Sequence, residues 1–181
     1  FRQTNALLDG HFLLTSGLHS PQYFQCAKVL QYPKYLHLFA GELAKHFEYS
    51  EIELVISPAI GGVVVGTEVG RMLDVRTIFA ERENGVMSLR RGFEMKKGER
   101  VLVVEDVVTT GGSVNEIIQL AKKADATLAG VGYIVDRSNG KTKFNAKAFS
   151  VLQMDVVTYP PDTCPLCKEG TPAVKPGSRG L

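Results

Sequence analysis

The chain has 181 residues, 44% of them hydrophobic, which is enough for one well-buried domain spanning residues 1–181; two domains are not expected. A formal net charge of +2 argues against a nucleic-acid-binding protein, and no apolar run approaches the ~20 residues of a membrane span. No basic-then-apolar leader opens the sequence, so we expect a cytoplasmic location.

The first thirty residues are predicted to form a small N-terminal hood. Residues 1–9 are expected to be a helix that Gly10 ends, since glycine commonly follows the last helical residue. Residues 11–14 and 23–27 have the composition of two short strands, joined by the polar turn of residues 15–21.

A strand–loop–helix unit is predicted next. Pro33 fits the first position of an amphipathic helix, and residues 54–57 have the pattern of a buried strand. A loop then leads into a helix of small residues over 63–73. Its backbone donors suit an anionic group such as a diphosphate, but a tight turn in a packed unit explains the loop equally well. The lysine of a P-loop is missing, which disfavours a nucleoside triphosphatase.

Residues 76–80 are predicted to be a third strand, and the polar stretch after them breaks the alternation of strands and helices. Asn84-Gly85 is a dipeptide typical of tight hairpin turns, so residues 82–95 are predicted to form a hairpin arm. The arm is either a solvated hairpin or a mobile lid that brings cations to a diphosphate and excludes water.

The rest of the chain is organised around residues 101–113, VLVVEDVVTTGGS. Residues 101–104 predict a strand buried on both faces, as in a parallel sheet. Glu105 and Asp106 follow at its C-terminal end, and a short turn leads into a helix that begins near Ser113. Because ligands of open α/β sheets bind outside the carboxyl ends of the strands, this turn is the predicted binding site.

The turn has the chemistry of a ribose 5-phosphate site. Its two glycines allow backbone N–H groups to close on a phosphate at the start of a helix, and hydroxyls of Thr109, Thr110 and Ser113 add donors. The carboxylates suit sugar hydroxyls, or a hard cation that bridges to them. The alternative is a capping box formed by Ser113 and Glu116, which would leave the paired acids unexplained.

The C-terminal third is predicted to add two strands and a tail. Residues 127–135 form a strand that ends in Asp136-Arg137, and residues 147–157 form the last strand. Residues 158–181 are rich in proline and are expected to lie irregularly over the surface.

Cys164 and Cys167 form a C-x-x-C motif within this tail. A zinc site normally needs four ligands, and the sequence has no second pair of cysteines, so a structural or incidental role is expected. Thiol chemistry, or a metal shared between subunits, remains the alternative.

The turn EDVVTTGGS resembles the signature of type I phosphoribosyltransferases, an acidic pair followed by two variable residues and Thr-Thr-Gly-Gly. With LTSGLHSPQYF, DRS and CPLCKEGTPAVKPGSR, the chain resembles the orotate phosphoribosyltransferase family over nearly its whole length. The resemblance implies an α/β fold with a mainly parallel central sheet flanked by helices, a small hood and a flexible lid hairpin. It implies the Mg²⁺-dependent transfer of phosphoribose from phosphoribosyl diphosphate to N1 of orotate, in pyrimidine biosynthesis.

The resemblance also implies roles for individual residues. Arg82 and Asp106 would be catalytic, and Mg²⁺ would be held mainly through the substrate, with Asp106 as its candidate protein ligand. The protein would be a homodimer with shared active sites. Orotate would contact Thr109, Arg137, Tyr23 and Phe24. Phosphoribosyl diphosphate would contact Arg82, Glu105, Asp106, Val107, Val108, Thr109, Thr110, Gly111, Gly112 and Ser113, and its diphosphate would lie on the loop of Ala59, Ile60, Gly61 and Gly62.

Some positions depart from the family pattern. Many members carry lysine where this chain has Ile60-Gly61 and Thr15, and residues 83–88 of the lid lack any basic side chain. Arg90 and Arg91 are candidates to replace the missing lid cations. A phosphoribosyltransferase for another nucleobase, and a non-catalytic regulator that binds phosphoribosyl diphosphate, are the alternative functions. For Arg137 the alternative is a surface ion pair with Asp136.

Overall fold

The computed structural model describes residues 1–14 and 16–175, and the chain divides into two compact units. One unit comprises Phe1–Val29 together with the C-terminal residues from Asp155 onward, and the other comprises Leu30–Met154. The predicted hood and the Pro-rich tail therefore belong to the same unit, although they lie at opposite ends of the sequence.

The N-terminal half of the first unit is a two-stranded antiparallel sheet of β1 (Leu7–Leu13) and β2 (His19–Phe24). The helix predicted over residues 1–9 is wrong, since only Arg2–Thr4 form a single 3₁₀ turn. Asn5 ends this turn in the left-handed conformation (φ 52°), and the pairing of β1 with β2 overrides the local helical pattern. The β1–β2 register shifts between Asp9 and Phe12, as at a β-bulge.

The predicted strand boundaries in this unit shift as well. His19, Ser20 and Pro21 lie within β2 rather than in the turn, because His19 and Ser20 pair with Leu13 and Phe12 of β1. Thr15 lies outside the described residues. The tail is mostly irregular, as expected, with a 3₁₀ turn at Pro161–Thr163 and a short helix α5 at Pro165–Lys168. Residues 176–181 of the predicted tail lie outside the described residues.

The second unit contains a six-stranded sheet whose strands lie in the order β5-β4-β3-β6-β7-β8. Every pairing is parallel except that of β4 with β5, so the predicted mainly parallel sheet is confirmed. The strands are β3 (Leu54–Pro58), β4 (Arg76–Glu83), β5 (Val86–Leu89), β6 (Arg100–Val108), β7 (Thr127–Asp136) and β8 (Ala148–Gln153).

Helices cover both faces of this sheet. Val131 of β7 shares a core cluster with Ile117 of α4. Gly130 and Gly132 of β7 face the opposite way, and a Cβ on either would meet the ring of Phe47 on α2 at 2.4 or 3.2 Å. The sheet is therefore buried on both sides, as its continuous apolar strands predict. The helices are α1 (Ala27–Leu30), α2 (Pro33–Phe47), α3 (Gly61–Leu73) and α4 (Gly112–Lys123).

The predicted hairpin at Asn84-Gly85 is confirmed. Asn84 (φ 51°) and Gly85 (φ 82°) both have positive φ, as a tight two-residue turn between twisted strands requires. The returning strand, β5, lies at the edge of the sheet, where Met87 is buried in the core cluster. No helix among residues 1–14 and 16–175 is long and apolar enough to cross a membrane.

Helix α3 lies unusually close to the sheet because glycines face it. An ideal Cβ on Gly66 would lie 2.0 Å from Oγ of Ser57, and one on Gly70 would lie 1.9 Å from Oγ1 of Thr77. Both distances are far below van der Waals contact, so a side chain at either position would push the helix off the sheet.

Gly66→Ala should therefore destabilise the protein by about 1–3 kcal/mol through overpacking. The matched control is Gly41→Ala in α2, where the nearest atom to a new Cβ is Cε of Met72 at 4.0 Å. That change should stabilise the protein by about 0.5–1 kcal/mol, because alanine favours a helix interior. Urea unfolding measures both, and equal effects of the two substitutions would contradict the close approach of α3.

Candidate active site

The acidic pair lies within the C-terminal part of β6, which continues to Val108 and is longer than the predicted strand of residues 101–104. Glu105 pairs with Tyr133 of β7 in the parallel register and is 9% exposed. Asp106 is half-buried. The two carboxyl groups are thus held on a rigid strand rather than on a loop.

The start of α3 lies directly against these carboxyl groups. A Cβ on Gly61 would lie 2.5 Å from Oδ2 of Asp106, and one on Gly62 would lie 2.9 Å from Oε1 of Glu105. Helix α3 begins at Gly61, so the loop that precedes it is shorter than predicted and contains the cis peptide bond Ala59–Ile60. Ile60 is 84% exposed. The loop after β3 and the end of β6 therefore meet at one edge of the sheet.

The turn after β6 needs a glycine at its last position. Gly111 has φ 74°, and a Cβ there would lie 2.6 Å from Cγ2 of Thr142 and 3.0 Å from Cε1 of Phe144. Thr142 also donates a hydrogen bond from its hydroxyl to the carbonyl of Thr109 (2.8 Å). The segment after β7 therefore fixes the shape of the turn.

The capping box proposed for Ser113 and Glu116 is wrong. Gly111 is the N-cap residue of α4, with no side-chain capping bond, and Ser113 lies inside the first turn of the helix. The carboxylate of Glu116 instead accepts two hydrogen bonds from the guanidinium of Arg82, at 2.9 and 2.5 Å. The turn is therefore shaped by backbone conformation, which leaves its hydroxyls and N–H groups available for a ligand.

A polar pocket of about 210 Å³ opens at the start of α4. Its walls are the turn itself, the buried acid of β6 and the arginine at the end of β4. Backbone N–H groups at the start of a helix of this length favour an anion. The lining residues are Arg82, Glu105, Val107, Val108, Thr109, Thr110, Gly111, Gly112, Ser113 and Val114.

Burial raises the pKa of Glu105 well above its ordinary value, and the adjacent negative charge of Asp106 raises it further. Oε1 of Glu105 accepts the backbone N–H of Asp106 at 3.0 Å, and Oδ1 of Asp106 accepts the N–H of Val107 at 2.9 Å. A cation or a hydroxyl donor beside this pair would relieve the repulsion between the two carboxyl groups.

The basic residues of the hairpin are engaged by its own acids. Arg90 lies 3.3 Å from Oε1 of Glu83, and Arg91 donates to Oε1 of Glu81 at 3.1 Å. Arg82 differs, because its partner Glu116 belongs to α4 and Arg82 itself lines the pocket. Of the three arginines of the hairpin segment, Arg82 is the one that lines the pocket.

The segment after β7 begins beside the end of β6. The backbone N–H of Arg137 donates to the carbonyl of Val108 at 2.8 Å. Arg137 therefore lies beside the last residue of β6, which Thr109 follows in the chain. Asp136 is 4% exposed, and its carboxylate accepts hydrogen bonds from Ser138 (N–H and hydroxyl) and the N–H of Gly140. Asp136 is therefore a buried residue that orders this loop.

Tyr23 and Phe24 belong to the first unit. Phe24 is 5% exposed and makes an edge-to-face contact with Phe1, with ring centroids 5.0 Å apart. Tyr23 is half-buried, and its ring lies 5.7 Å from that of Phe12. Both rings thus contribute to the packing of that unit.

Sequence reasoning missed the residues that support the site. Thr142 and Phe144 lie more than thirty residues after the turn that they hold, and no local pattern indicates this contact. In the sequence, Glu116 is recognisable only as a candidate capping residue. No local pattern predicts its ion pair with Arg82, because the pair forms only where the hairpin lies beside α4.

Comparison with known proteins places these features in context. A family model described as a phosphoribosyl transferase domain matches residues 27–162. The chain is 64% identical over 179 residues to the orotate phosphoribosyltransferase of Chlorobaculum parvum, covering 99% of this chain and 93% of that protein. It is 57% identical over 181 residues to the orotate phosphoribosyltransferase of Pelotomaculum thermopropionicum, covering 100% and 95%.

Solved structures share the fold. The crystal structure of orotate phosphoribosyltransferase from Aeropyrum pernix has a TM-score of 0.73 at 24% identity, covering 84% of this chain and 90% of that chain. Adenine phosphoribosyltransferase from Thermoanaerobacter pseudethanolicus has a TM-score of 0.65 at 16% identity, covering 74% and 88%. The predicted fold class is confirmed.

The raised pKa of Glu105 predicts a pH-dependent loss of stability. The folded chain binds this proton more tightly than the unfolded chain, so the contribution of Glu105 is complete below the ordinary glutamate pKa and is lost as pH rises through the raised pKa. Glu105→Gln has no proton to lose. The stability of this variant relative to the parent should therefore increase as pH rises above the ordinary glutamate pKa of about 4.3.

Denaturant unfolding at several pH values measures this difference. Glu42→Gln, on the exposed side of α2, is the control for replacing a glutamate carboxyl group by an amide. A pH-independent difference for Glu105→Gln would show that Glu105 is an ordinary ionised carboxylate.

Proposed function

We propose that this chain, which belongs to the phosphoribosyl transferase family, transfers the 5-phosphoribosyl group of phosphoribosyl diphosphate to N1 of orotate. The products are orotidine 5′-monophosphate and diphosphate, in the de novo synthesis of pyrimidine nucleotides. The observation that carries the proposal is the polar pocket in which the start of α4 adjoins a buried carboxyl group. The choice of orotate is supported by the full-length similarity to orotate phosphoribosyltransferases.

The pocket has separate groups for the two ends of a ribose phosphate. The 5′-phosphate would accept hydrogen bonds from the backbone N–H groups and hydroxyls of Thr109, Thr110 and Ser113, at the positive end of α4. Glu105 and Asp106 would take the ribose hydroxyls. Because Gly61 and Gly62 leave no side chain over these acids, the diphosphate could lie on the loop that begins at Ala59 and includes Ile60.

Mg²⁺ fits this donor set. Asp106 offers a half-buried carboxylate, which is the hard oxygen ligand that Mg²⁺ prefers, and a second carboxyl group adjoins it. Mg²⁺ is usually bound through one or two carboxylates and the phosphates of its substrate, so we propose that it is held mainly through phosphoribosyl diphosphate. When bound, it neutralises charge on the diphosphate.

The protein contributes alignment and charge to the transfer. N1 of orotate attacks C1′ as the bond to diphosphate breaks, through a cationic, oxocarbenium-like ribosyl centre that Asp106 stabilises electrostatically. Arg82 would stabilise the departing diphosphate. For this its guanidinium must exchange the carboxylate of Glu116 for phosphate oxygens. Arg90 and Arg91 would serve only after leaving Glu83 and Glu81.

Arg137 would select orotate by its carboxylate. A guanidinium binds a carboxylate through two parallel hydrogen bonds. The backbone of Arg137 is hydrogen-bonded to Val108, the residue before Thr109, so both proposed orotate contacts come from adjoining segments. Tyr23 and Phe24 would flank the pyrimidine ring. Uracil lacks the carboxylate and would not form these two hydrogen bonds, and sites built to bind such a group discriminate by roughly 10⁴–10⁵.

We also propose that the enzyme is a cytoplasmic homodimer with shared active sites, and that the β4–β5 hairpin acts as its lid. The family resemblance supports both statements. Partners other than the two substrates and a second copy of the chain are not proposed.

The direct test is the loss of orotate absorbance in the presence of phosphoribosyl diphosphate and Mg²⁺. Parallel reactions with uracil, adenine and hypoxanthine separate orotate from other nucleobases. Diphosphate release that depends on orotate alone supports the proposal. Binding of phosphoribosyl diphosphate without turnover of any base would indicate a regulator instead.

Arg137→Ala should lower kcat/KM for orotate by roughly 30-fold to several thousand-fold, the usual cost of removing one partner of a buried charged pair. Arg137→Lys should recover little, because lysine lacks the planar fork. Binding of phosphoribosyl diphosphate, measured by calorimetry, should change little in either variant. Arg71→Ala, on the exposed side of α3, is the control. Unchanged orotate kinetics in Arg137→Ala would refute its role.

Asp106→Asn should weaken the binding of phosphoribosyl diphosphate with Mg²⁺ by roughly 10- to 150-fold, because it removes a charged hydrogen-bond acceptor. Calorimetry measures the affinity, and the orotate assay measures turnover. Asp74→Asn is a matched control, since Asp74 is exposed and lies in the left-handed conformation that asparagine tolerates. A fully active Asp106→Asn enzyme would contradict the assignment.

A further inference from the structure

Four side chains of the types that ligate metals converge within the first unit. His11 lies in β1, His19 begins β2, Cys164 precedes α5 and Cys167 lies in it. Their ligand atoms all lie within 4.8 Å of one another. His11, His19 and Cys164 are 3%, 8% and 0% exposed, whereas Cys167 is at the surface.

The distances suit a tetrahedral zinc site. Nε2 of His11 lies 3.6 Å from Sγ of Cys164 and 3.8 Å from Sγ of Cys167, and Nδ1 of His19 lies 3.3 Å from Sγ of Cys167. Zinc with Zn–S of ~2.3 Å and Zn–N of ~2.0–2.1 Å places tetrahedral sulfur and nitrogen ligands ~3.6 Å apart. The two nitrogens lie 2.7 Å apart, and tetrahedral zinc ligation would move them about 0.6 Å further from each other.

His11 is also oriented as a metal ligand. Its Nδ1 lies 2.7 Å from the carbonyl oxygen of Thr171, to which it can donate. This bond fixes the tautomer in which the lone pair of Nε2 points toward the two sulfurs. A backbone carbonyl on the outer ring nitrogen is the usual second partner of a zinc-bound histidine.

The tail holds the backbone of both histidines. The N–H of Val174 donates to the carbonyl of His11 at 2.9 Å. His19 and Tyr159 exchange two backbone hydrogen bonds, at 2.9 and 2.8 Å. The tail that carries Cys164 and Cys167 is therefore hydrogen-bonded to the backbone of both histidines.

We propose that His11, His19, Cys164 and Cys167 bind one Zn²⁺ in a closed Cys₂His₂ site that fastens the tail to the β1–β2 hairpin. Mixed imidazole and thiolate ligands select zinc, and four protein ligands leave no open position, which indicates a structural ion. The sequence argument against zinc considered only a second pair of cysteines. The second pair consists of histidines, which the antiparallel pairing of β1 with β2 brings together.

Such an ion would stabilise the first unit, which has little regular secondary structure. The regular structure of this unit is one two-stranded sheet and short helical turns, which bury little apolar surface on their own. The histidine–cysteine contacts described above join residues that are 148 to 156 positions apart in the sequence, so the ion would close a long loop. Metal binding would therefore contribute directly to the folding of this unit.

The test measures zinc in the full chain, purified without a histidine tag or chelator, by mass spectrometry of the metal. One Zn²⁺ per chain is expected. Cys167→Ser and His19→Gln should each weaken Zn²⁺ affinity by more than about 100-fold, measured by competition with a chromophoric chelator. Cys167 is at the surface, so its substitution should leave the chain folded. Cys26→Ala and His37→Ala are the matched controls and should retain the ion.

Co²⁺ substitution gives a second readout on the parent chain, because tetrahedral cobalt with thiolate ligands has a distinctive visible spectrum. Removing Zn²⁺ should lower the thermal stability of the parent and leave that of Cys167→Ser nearly unchanged. The proposal would be overturned if the parent chain bound Zn²⁺ no more tightly than the Cys167→Ser variant does. A Cys164–Cys167 disulfide, seen as a single reactive thiol in the unfolded protein, would also overturn it. None of these readouts depends on transferase activity.

Discussion

The candidate site in the second unit depends on the close approach of two backbone segments, the start of α3 and the end of β6, at one edge of the sheet. The glycines that begin α3 lie so near the carboxyl groups of Glu105 and Asp106 that a single Cβ on Gly61 would collide with Asp106. This approach brings the loop after β3 against the end of β6. It also buries an acid whose pKa rises because water is excluded and a second carboxylate is adjacent. Every other feature of the candidate site is arranged around this contact.

The contact gives the pocket two electrostatic ends. The start of α4 presents N–H groups with partial positive charge, and the end of β6 presents carboxyl groups a few residues earlier. A ligand that carries a phosphate at one end and hydroxyl groups at the other matches both. Arg82 adds a cation, which Glu116 holds at the pocket. The two side chains are 44% and 40% exposed, so the ion pair contributes little to stability and Arg82 can exchange Glu116 for a phosphate.

The first unit is stabilised by different means. It has a two-stranded sheet with aromatic contacts such as Phe1 on Phe24, and a tail that pairs with both strands through single backbone bridges. Buried histidines and cysteines carry polar groups that need partners, and here their partners are chiefly one another. A zinc ion would satisfy all four and would link the two ends of the chain.

The sequence by itself determined the elements whose patterns are local. Apolar runs predicted the buried strands, Asn84-Gly85 predicted the hairpin, and the acidic pair with its Thr-Thr-Gly-Gly turn predicted the place and chemistry of the pocket. Only the tertiary structure decided contacts between distant segments, because no local pattern encodes which strands pair. The pairing of β1 with β2 replaced a predicted helix and placed His11 beside His19, and the packing of the tail against both strands brought Cys164 and Cys167 to them.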